Sequence, residues 1–262
     1  MPRKHMAEGH TIHRLAIQLR DLIGPPLGAS SPQGRFPDAK VLDGLPLLET
    51  DAHGKHLFLR FDVAWVHVHL GLAGTAYFVD ASVPAKPQVR LRLAGSDTAW
   101  DLVAPTKCEL LDDQAVKSIH NRLGPDPLRS DADPELVWNR LQRYSGAIGA
   151  AVLDQKVIAG VGNVYRAEAL YALSMAPTRR ASSLSREEFD RLWATLKSMM
   201  EQGVRDGRII TVDLPPDADR QALPQEEARY VYKQSACRRC GAPVEVAAIG
   251  GRTSYACTRE QS

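Results

Sequence analysis

The pattern of apolar and polar positions changes character near residue 130. Before that point the dominant period is two. In 55–62, Leu57, Leu59 and Phe61 share one side; in 64–72, Val66, Val68 and Leu70 alternate with Trp65, His67 and His69. In 89–93, Val89, Leu91 and Leu93 alternate with Arg90 and Arg92. Such alternation marks half-buried strands, and several of them within the first 110 residues predict a sandwich or barrel-like sheet. One helix is expected among them, over 8–23, where Ile12, Leu15, Ala16, Leu19 and Leu22 form a stripe.

From about 133 the period becomes helical. Asp133-Pro134 is a cap and first-turn pair ahead of ELVWNRLQRY. Ser185 with Glu188 forms a capping box for 185–203, in which Phe189, Leu192, Leu196 and Met199 recur at helical spacing. Between these lies 153–173, an apolar run interrupted by Gly160 and Gly162. The proline-rich, charged stretch 213–227 reads as a linker or mobile loop. The tail from Tyr230 is expected to hold two small strands. The fold class is therefore α+β: a β-sandwich over 7–125, a helical domain over 133–227 and a terminal hairpin over 230–262.

Composition narrows the class. The chain has 262 residues, 44% of them hydrophobic, enough for two domains that each bury a core. No run approaches the roughly 18 apolar residues of a membrane helix, and no signal peptide opens the chain, so a soluble intracellular protein is expected. Of four cysteines, three crowd near the C-terminus and Cys108 stands alone, a distribution that suits a metal site more than a disulfide framework. Net charge is only +2, but it is uneven: residues 101–137 carry eight acids against four bases, and 228–262 six bases against two acids. Either one side of the molecule faces an anion, or both stretches are solvated surface.

Three motifs carry candidate chemistry. Cys237 and Cys240 form a CxxC knuckle, and Cys257 follows after sixteen residues; two knuckles at this separation gather four thiolates round zinc. Here the fourth position is Glu260. The choices are zinc held by three thiolates with Glu260 or water, a hairpin kept by packing alone, or a redox pair. Arg252, in GGRTSY, would sit at the hairpin tip, where an ordinary exposed arginine is also expected. In IAGVGNVY, two glycines before a helix either make a packing turn or open backbone N–H groups to a phosphate, with Asn163 as a further donor. In HLGLAG, two glycines flank Leu72, which is either a partly buried turn residue or an apolar wedge for a base stack.

Taken together and in order, AEGHTIHR, GKHLF, HLGLAG, LDQKVIAGVGNVYRAE and the cysteine hairpin resemble the formamidopyrimidine-DNA glycosylase/endonuclease VIII family. The likeness spans nearly the whole chain; its Glu-Gly start looks like the endonuclease VIII branch, and the full pattern is similar to the actinobacterial Nei2 type of that branch. The resemblance implies a helix–two-turn–helix element, a structural zinc finger and excision of oxidised bases, pyrimidines above all, from double-stranded DNA, followed by cleavage of the abasic site. It implies roles by position: Glu8 protonates the opening sugar, Lys55 belongs to the catalytic set and holds phosphate near the lesion, His69 contacts DNA, Leu72 fills the vacated stack, and Asn163 and Arg252 grip phosphates. It further implies a bacterial, cytoplasmic, nucleoid-associated monomer with no membrane partner.

One departure matters. The family's nucleophile is an N-terminal proline, and the corresponding residue here is Ala7, preceded by MPRKHM. A chain beginning at Ala7 would offer a primary amine. A chain that keeps residues 1–6 offers only an amide there, whose lone pair is delocalised. The rival expectation is a protein that binds damaged or abasic DNA without excising it; a helical-turn element serving another nucleic-acid machine leaves the N-terminal motifs unexplained.

Overall fold

The computed structural model describes residues 7–261; the segment MPRKHM lies outside them. The chain forms two compact units. Among the described residues, one holds Ala7, Glu8 and Ile12–Arg122, and the other holds Gly9–Thr11 and Leu123–Gln261.

The first unit contains two antiparallel sheets. Strands β1 (Pro26–Ser30), β2 (Leu45–Pro46), β6 (Thr75–Asp80), β7 (Val89–Ala94) and β8 (Thr98–Val103) form one, in the order β2-β1-β7-β8-β6. Strands β3 (Glu49–His53), β4 (His56–Arg60), β5 (Trp65–His69) and β9 (Lys107–Leu111) form the other, in chain order. The period-two positions do what alternation requires. Leu57, Leu59, Val66, Val68, Leu91 and Leu93 are fully buried in one core with Trp100 and with Ile12, Leu15 and Leu19. Each such side chain contributes about 1.5–3 kcal/mol by leaving water. The last three lie on α1 (Gly9–Leu19), which gives way to a 3-10 turn at 20–22 and so is shorter than the predicted 8–23.

The polar faces of these strands are less exposed than alternation alone suggests. Arg92 is buried and grips Asp101, its cross-strand partner, through Nε at 2.7 Å and Nη2 at 2.8 Å. The histidine-bearing face of β4 and β5 is covered in part by α3 (Asp113–Arg122). Only Val116 of that helix is buried, so apolar periodicity does not announce it.

The second unit holds α2's helical successors α4 (Pro134–Gln142), α5 (Ile148–Ala151), α6 (Asn163–Ala172) and α7 (Arg186–Asp206), the short α2 (Ala39–Leu42) belonging to the first. Asp133 caps α4 by accepting from Glu135 N at 2.9 Å. The Ser185–Glu188 box closes as predicted, at 3.2 and 2.8 Å, and α7 ends at Gly207 in the left-handed conformation (φ +69°). Helix α6 is buried from Val164 to Tyr171 and packs against α7 and the terminal hairpin. That hairpin pairs β10 (Val244–Ile249) with β11 (Arg252–Cys257) through Gly250 and Gly251, both at positive φ, the two-residue turn that glycine favours. Residues 213–227 are irregular apart from a 3-10 turn at Gln225–Glu227.

The cap gives a direct test. Ser185→Ala removes the bond to Glu188 N but leaves the Glu188 carboxylate held by Arg179 at 2.6 and 2.7 Å. The variant should lose about 1 kcal/mol in urea unfolding; no change in midpoint would show that the box contributes nothing.

Candidate nucleic-acid interface and metal centre

In the first unit, two tight turns present the predicted residues. Lys55 sits with Gly54 (φ +60°) in the two-residue turn between the paired His53 and His56. The loop after β5 closes with Gly74 N donating to Leu70 O at 3.0 Å. A Cβ on Gly71 (φ +68°) would fall 1.8 Å from Thr106 Oγ1, and one on Gly74 would fall 2.3 Å from Leu70 O. Both positions therefore exclude a side chain. The residue they hold out, Leu72, is 61% exposed, a large apolar group projecting from a constrained loop. At the start of α1, Glu8 is buried at the N-cap position and Ala7 lies half-buried against the core.

Beside Lys55 lies a face of imidazoles. Cross-strand register puts His56 opposite His69, Phe58 opposite His67, and His67 and His69 opposite Glu109 and Lys107. His67 Nδ1 is 2.9 Å from Glu109 Oε1, and His67 Nε2 is 2.8 Å from His56 Nδ1. Glu109 is held below the usual carboxylate range by its hydrogen bonds to His67 and Lys107, against the opposing effect of its own burial. Ionised, it accepts from His67 Nδ1–H, and His67 Nε2 in turn accepts from His56 Nδ1–H. One carboxylate thus sets two tautomers. Burial pushes His67 and His69 down, and holds His56 at about 3 with the help of His67, His69, Arg122 and His53.

In the second unit, the predicted glycine turn is built by Gln155. Its side chain accepts from Gly160 N at 3.0 Å and donates to Leu153 O and Val161 O at 2.8 and 3.0 Å. Gly160 takes φ +87°, and its carbonyl accepts from Gly9 N at 2.9 Å. A Cβ on Gly9 would lie 2.9 Å from Gly160 Cα, so the approach requires glycine. At the helix start after the turn, Asn163 Nδ2 donates to Thr253 O at 2.9 Å, and its Oδ1 accepts from Arg166 Nη2. The predicted phosphate donor is thus tied to the hairpin, with one of its two amide hydrogens remaining for another acceptor. Arg252 is exposed and opens β11 immediately after the turn.

The sulfurs of Cys237, Cys240 and Cys257 converge within 4.8 Å of one another, and among the described residues no carboxylate or imidazole joins them. The carboxylate of Glu260, the predicted fourth ligand, thus lies outside the cluster; its backbone N–H instead donates to Cys257 Sγ at 3.4 Å. Cys237 Sγ donates to Tyr171 Oη at 3.3 Å, and Gln261 links Cys257 N to Met175 O, both at 2.9 Å. Three soft donors so disposed, held in place by hydrogen bonds around them, fit a thiophilic ion of the zinc kind. The entry to the hairpin is fixed by Glu168, which is fully buried. Its carboxylate accepts from Tyr230, Val231 and Tyr232 N at 2.7–2.9 Å and from Thr211 Oγ1 at 2.5 Å. Sequence reasoning passed over Gln155, Arg166, Glu168 and Tyr171. The sign for the middle two was present, charged residues inside an otherwise apolar helical stretch.

A sandwich with a glycine-bounded loop that exposes Leu72, a glycine turn feeding a buried helix and a cysteine hairpin docked on that helix define a class of damaged-DNA glycosylases. The chain belongs to the formamidopyrimidine-DNA glycosylase/endonuclease VIII family, whose members carry out base-excision repair. Residues 3–107 match the formamidopyrimidine-DNA glycosylase N-terminal domain and 123–213 its H2TH domain. Endonuclease 8 1 of Mycobacterium tuberculosis is 44% identical over 96% of this chain and 98% of its own. Formamidopyrimidine-DNA glycosylase of Proteus mirabilis is 28% identical over 83% and 81%. Among solved structures, the Lactococcus lactis Fpg in complex with abasic-site DNA superposes with a TM-score of 0.78 at 19% identity, covering 97% of this chain and 99% of that one. No helix of the described residues is long and apolar enough to cross a membrane.

The imidazole face predicts an acid-sensitive first unit. Unfolded, His56 titrates near its ordinary 6.5; folded, it refuses the proton down to about 3. Protons therefore favour the unfolded chain as pH falls from 6.5 toward 3, and stability is lost through that window. His56→Gln should flatten the decline of urea midpoints between pH 7 and 5; an unaltered slope would mean that His56 is not held neutral.

Proposed function

We propose that the chain removes oxidised bases, pyrimidines above all, from double-stranded DNA and cleaves the resulting abasic site. The observation that carries this reading is the near full-length likeness to Endonuclease 8 1. The local geometry supports the roles. Glu8, buried at a helix start, is the proton donor to the opening sugar. Lys55 holds phosphate beside the lesion, His69 contacts the DNA, Leu72 enters the stack, and Asn163 and Arg252 grip phosphates from the helical side. The division of labour follows 7–125 for the lesion, 133–227 for the duplex and 230–262 for the finger. The protein acts as a monomer in the bacterial cytoplasm, at the nucleoid.

Cys237, Cys240 and Cys257 would hold the finger's zinc, which when bound supplies a structural cross-link in place of a core too small to hold the hairpin alone. Water, or Glu260 in another rotamer, completes the set. Purified protein should contain about one zinc per chain, and Glu260→Cys should slow its loss to chelator. Absence of zinc by elemental analysis, with Cys237→Ser folding normally, would remove the site.

Ala7 supports a second reading, binding without excision. Its nitrogen is the nucleophile only as a free amine. With a pKa near ~8 such an amine is about a tenth neutral at pH 7 and can condense with the C1′ aldehyde of an abasic site. The chain 1–262 should bind abasic-site DNA without borohydride-trappable cross-linking, and a chain starting at Ala7 should be trapped. Ala7→Pro at that start should raise trapping, and Glu8→Gln should suppress base excision. Trapping by 1–262 that is lost in Lys55→Ala would move the nucleophile to Lys55.

A further inference from the structure

Arg166 is a charged side chain with 1% exposure, on a helix otherwise sealed in the core of its unit. Its Nη1 donates to Gly149 O at 3.2 Å and to Ile249 O at 3.1 Å. Its Nη2 donates to Thr253 O at 2.5 Å and to Asn163 Oδ1. Two of these acceptors, Ile249 and Thr253, bracket the turn Gly250–Gly251–Arg252. The third belongs to α5, against which the turn rests: a Cβ on Gly250 would lie 2.9 Å from Ala150 Cβ. The fourth is the side chain at the start of α6. One guanidinium thus joins the hairpin tip, α5 and Asn163.

We propose that Arg166 is the positioning residue for the Arg252 phosphate contact, fixing the finger tip so that Arg252 and Asn163 act on DNA as one preformed site. The inference rests on the reading of Arg252 as a phosphate grip. Three physical points support it. Burying a cation costs several kcal/mol, and filling volume alone is better done by an apolar residue, so the charge is explained by what its fork orders. Only a planar fork reaches four oxygens disposed on two sides; a lysine ammonium has three donors at a single point. And the hairpin has separate fixings at its base, Glu168 and the cysteine cluster, while its tip is tied down by the side-chain hydrogen bonds of Arg166 and of Asn163, which Arg166 itself orients. A preformed phosphate site avoids the ordering cost that a loose exposed arginine meets on binding.

The test is a double-mutant cycle on duplex DNA containing an abasic-site analogue, using the full chain. Arg252→Ala should weaken binding about tenfold, a loss of ~1.4 kcal/mol, and lower the salt slope by about one. Arg166→Gln should do nearly the same with zinc content unchanged and with faster hydrogen exchange at Gly250–Thr253. The double variant should bind about as the singles do, because a residue that acts through another adds nothing once that other is gone. Arg166→Lys should stay impaired although it keeps the charge. Normal binding by Arg166→Gln, or losses that multiply in the double variant, would overturn the inference while leaving Arg252 as a contact. An inert Arg252→Ala would overturn the phosphate reading and the inference together. Should Arg166→Gln fail to fold, the same cycle run on Arg166→Lys decides, with full rescue by lysine as the overturning result.

Discussion

The second unit depends on one carboxylate. Glu168 sits in the middle of α6 with no access to water, and it remains there because four donors converge on it. Three are consecutive backbone N–H groups, which in a chain about to enter a short hairpin have no strand partner of their own. The exchange is reciprocal: the carboxylate satisfies an otherwise orphaned stretch of main chain, and that stretch neutralises the desolvation of the carboxylate. Removing either side leaves buried polar groups unmatched, at a cost of the order of 1–3 kcal/mol for each donor. A hairpin with so little apolar surface has few other means of being held to a helix.

How much of this was legible in the sequence follows from which interactions are periodic. Val66, Val68, Leu91 and Leu93 announce their faces because burial repeats every second residue, and Asp133 and Ser185 announce helix starts because a cap is a local bond. Helix α3 is silent because a single valine of it is buried, while its other contacts include His120 against His53 and Phe58 and Asp113 against the Trp65 indole N–H. The site divides along the same line. Leu72, Gly71 and Gly74 were readable, since the need for glycine is a property of the backbone. Arg166 and Glu168 were not assigned, because most of what they bind is main chain 62 to 87 residues away, and a backbone carbonyl or N–H leaves no mark in the sequence. The fourth metal position shows the limit of spacing as an argument: Glu260 stands at the expected interval, yet among the described residues the cluster gathers the three sulfurs without its carboxylate.

Polar side chains here tend to organise backbone, and apolar ones supply bulk. Gln155 shapes the glycine turn with a single amide, Glu168 receives the hairpin's entry and Gln261 its exit, and each uses both of its polar ends or both carboxylate oxygens.

Strand β11 runs from Arg252 at one end to Cys257 at the other. At the usual rise per residue it is a strut of about 17 Å. That length exceeds the distance of about 8–10 Å over which a charge is felt through physiological salt. Screening by salt therefore weakens any influence of charge at the cysteine cluster on an anion in solvent at the far end. The strand also couples its two ends mechanically, with the cysteine cluster at its foot and the exposed Arg252 at its tip.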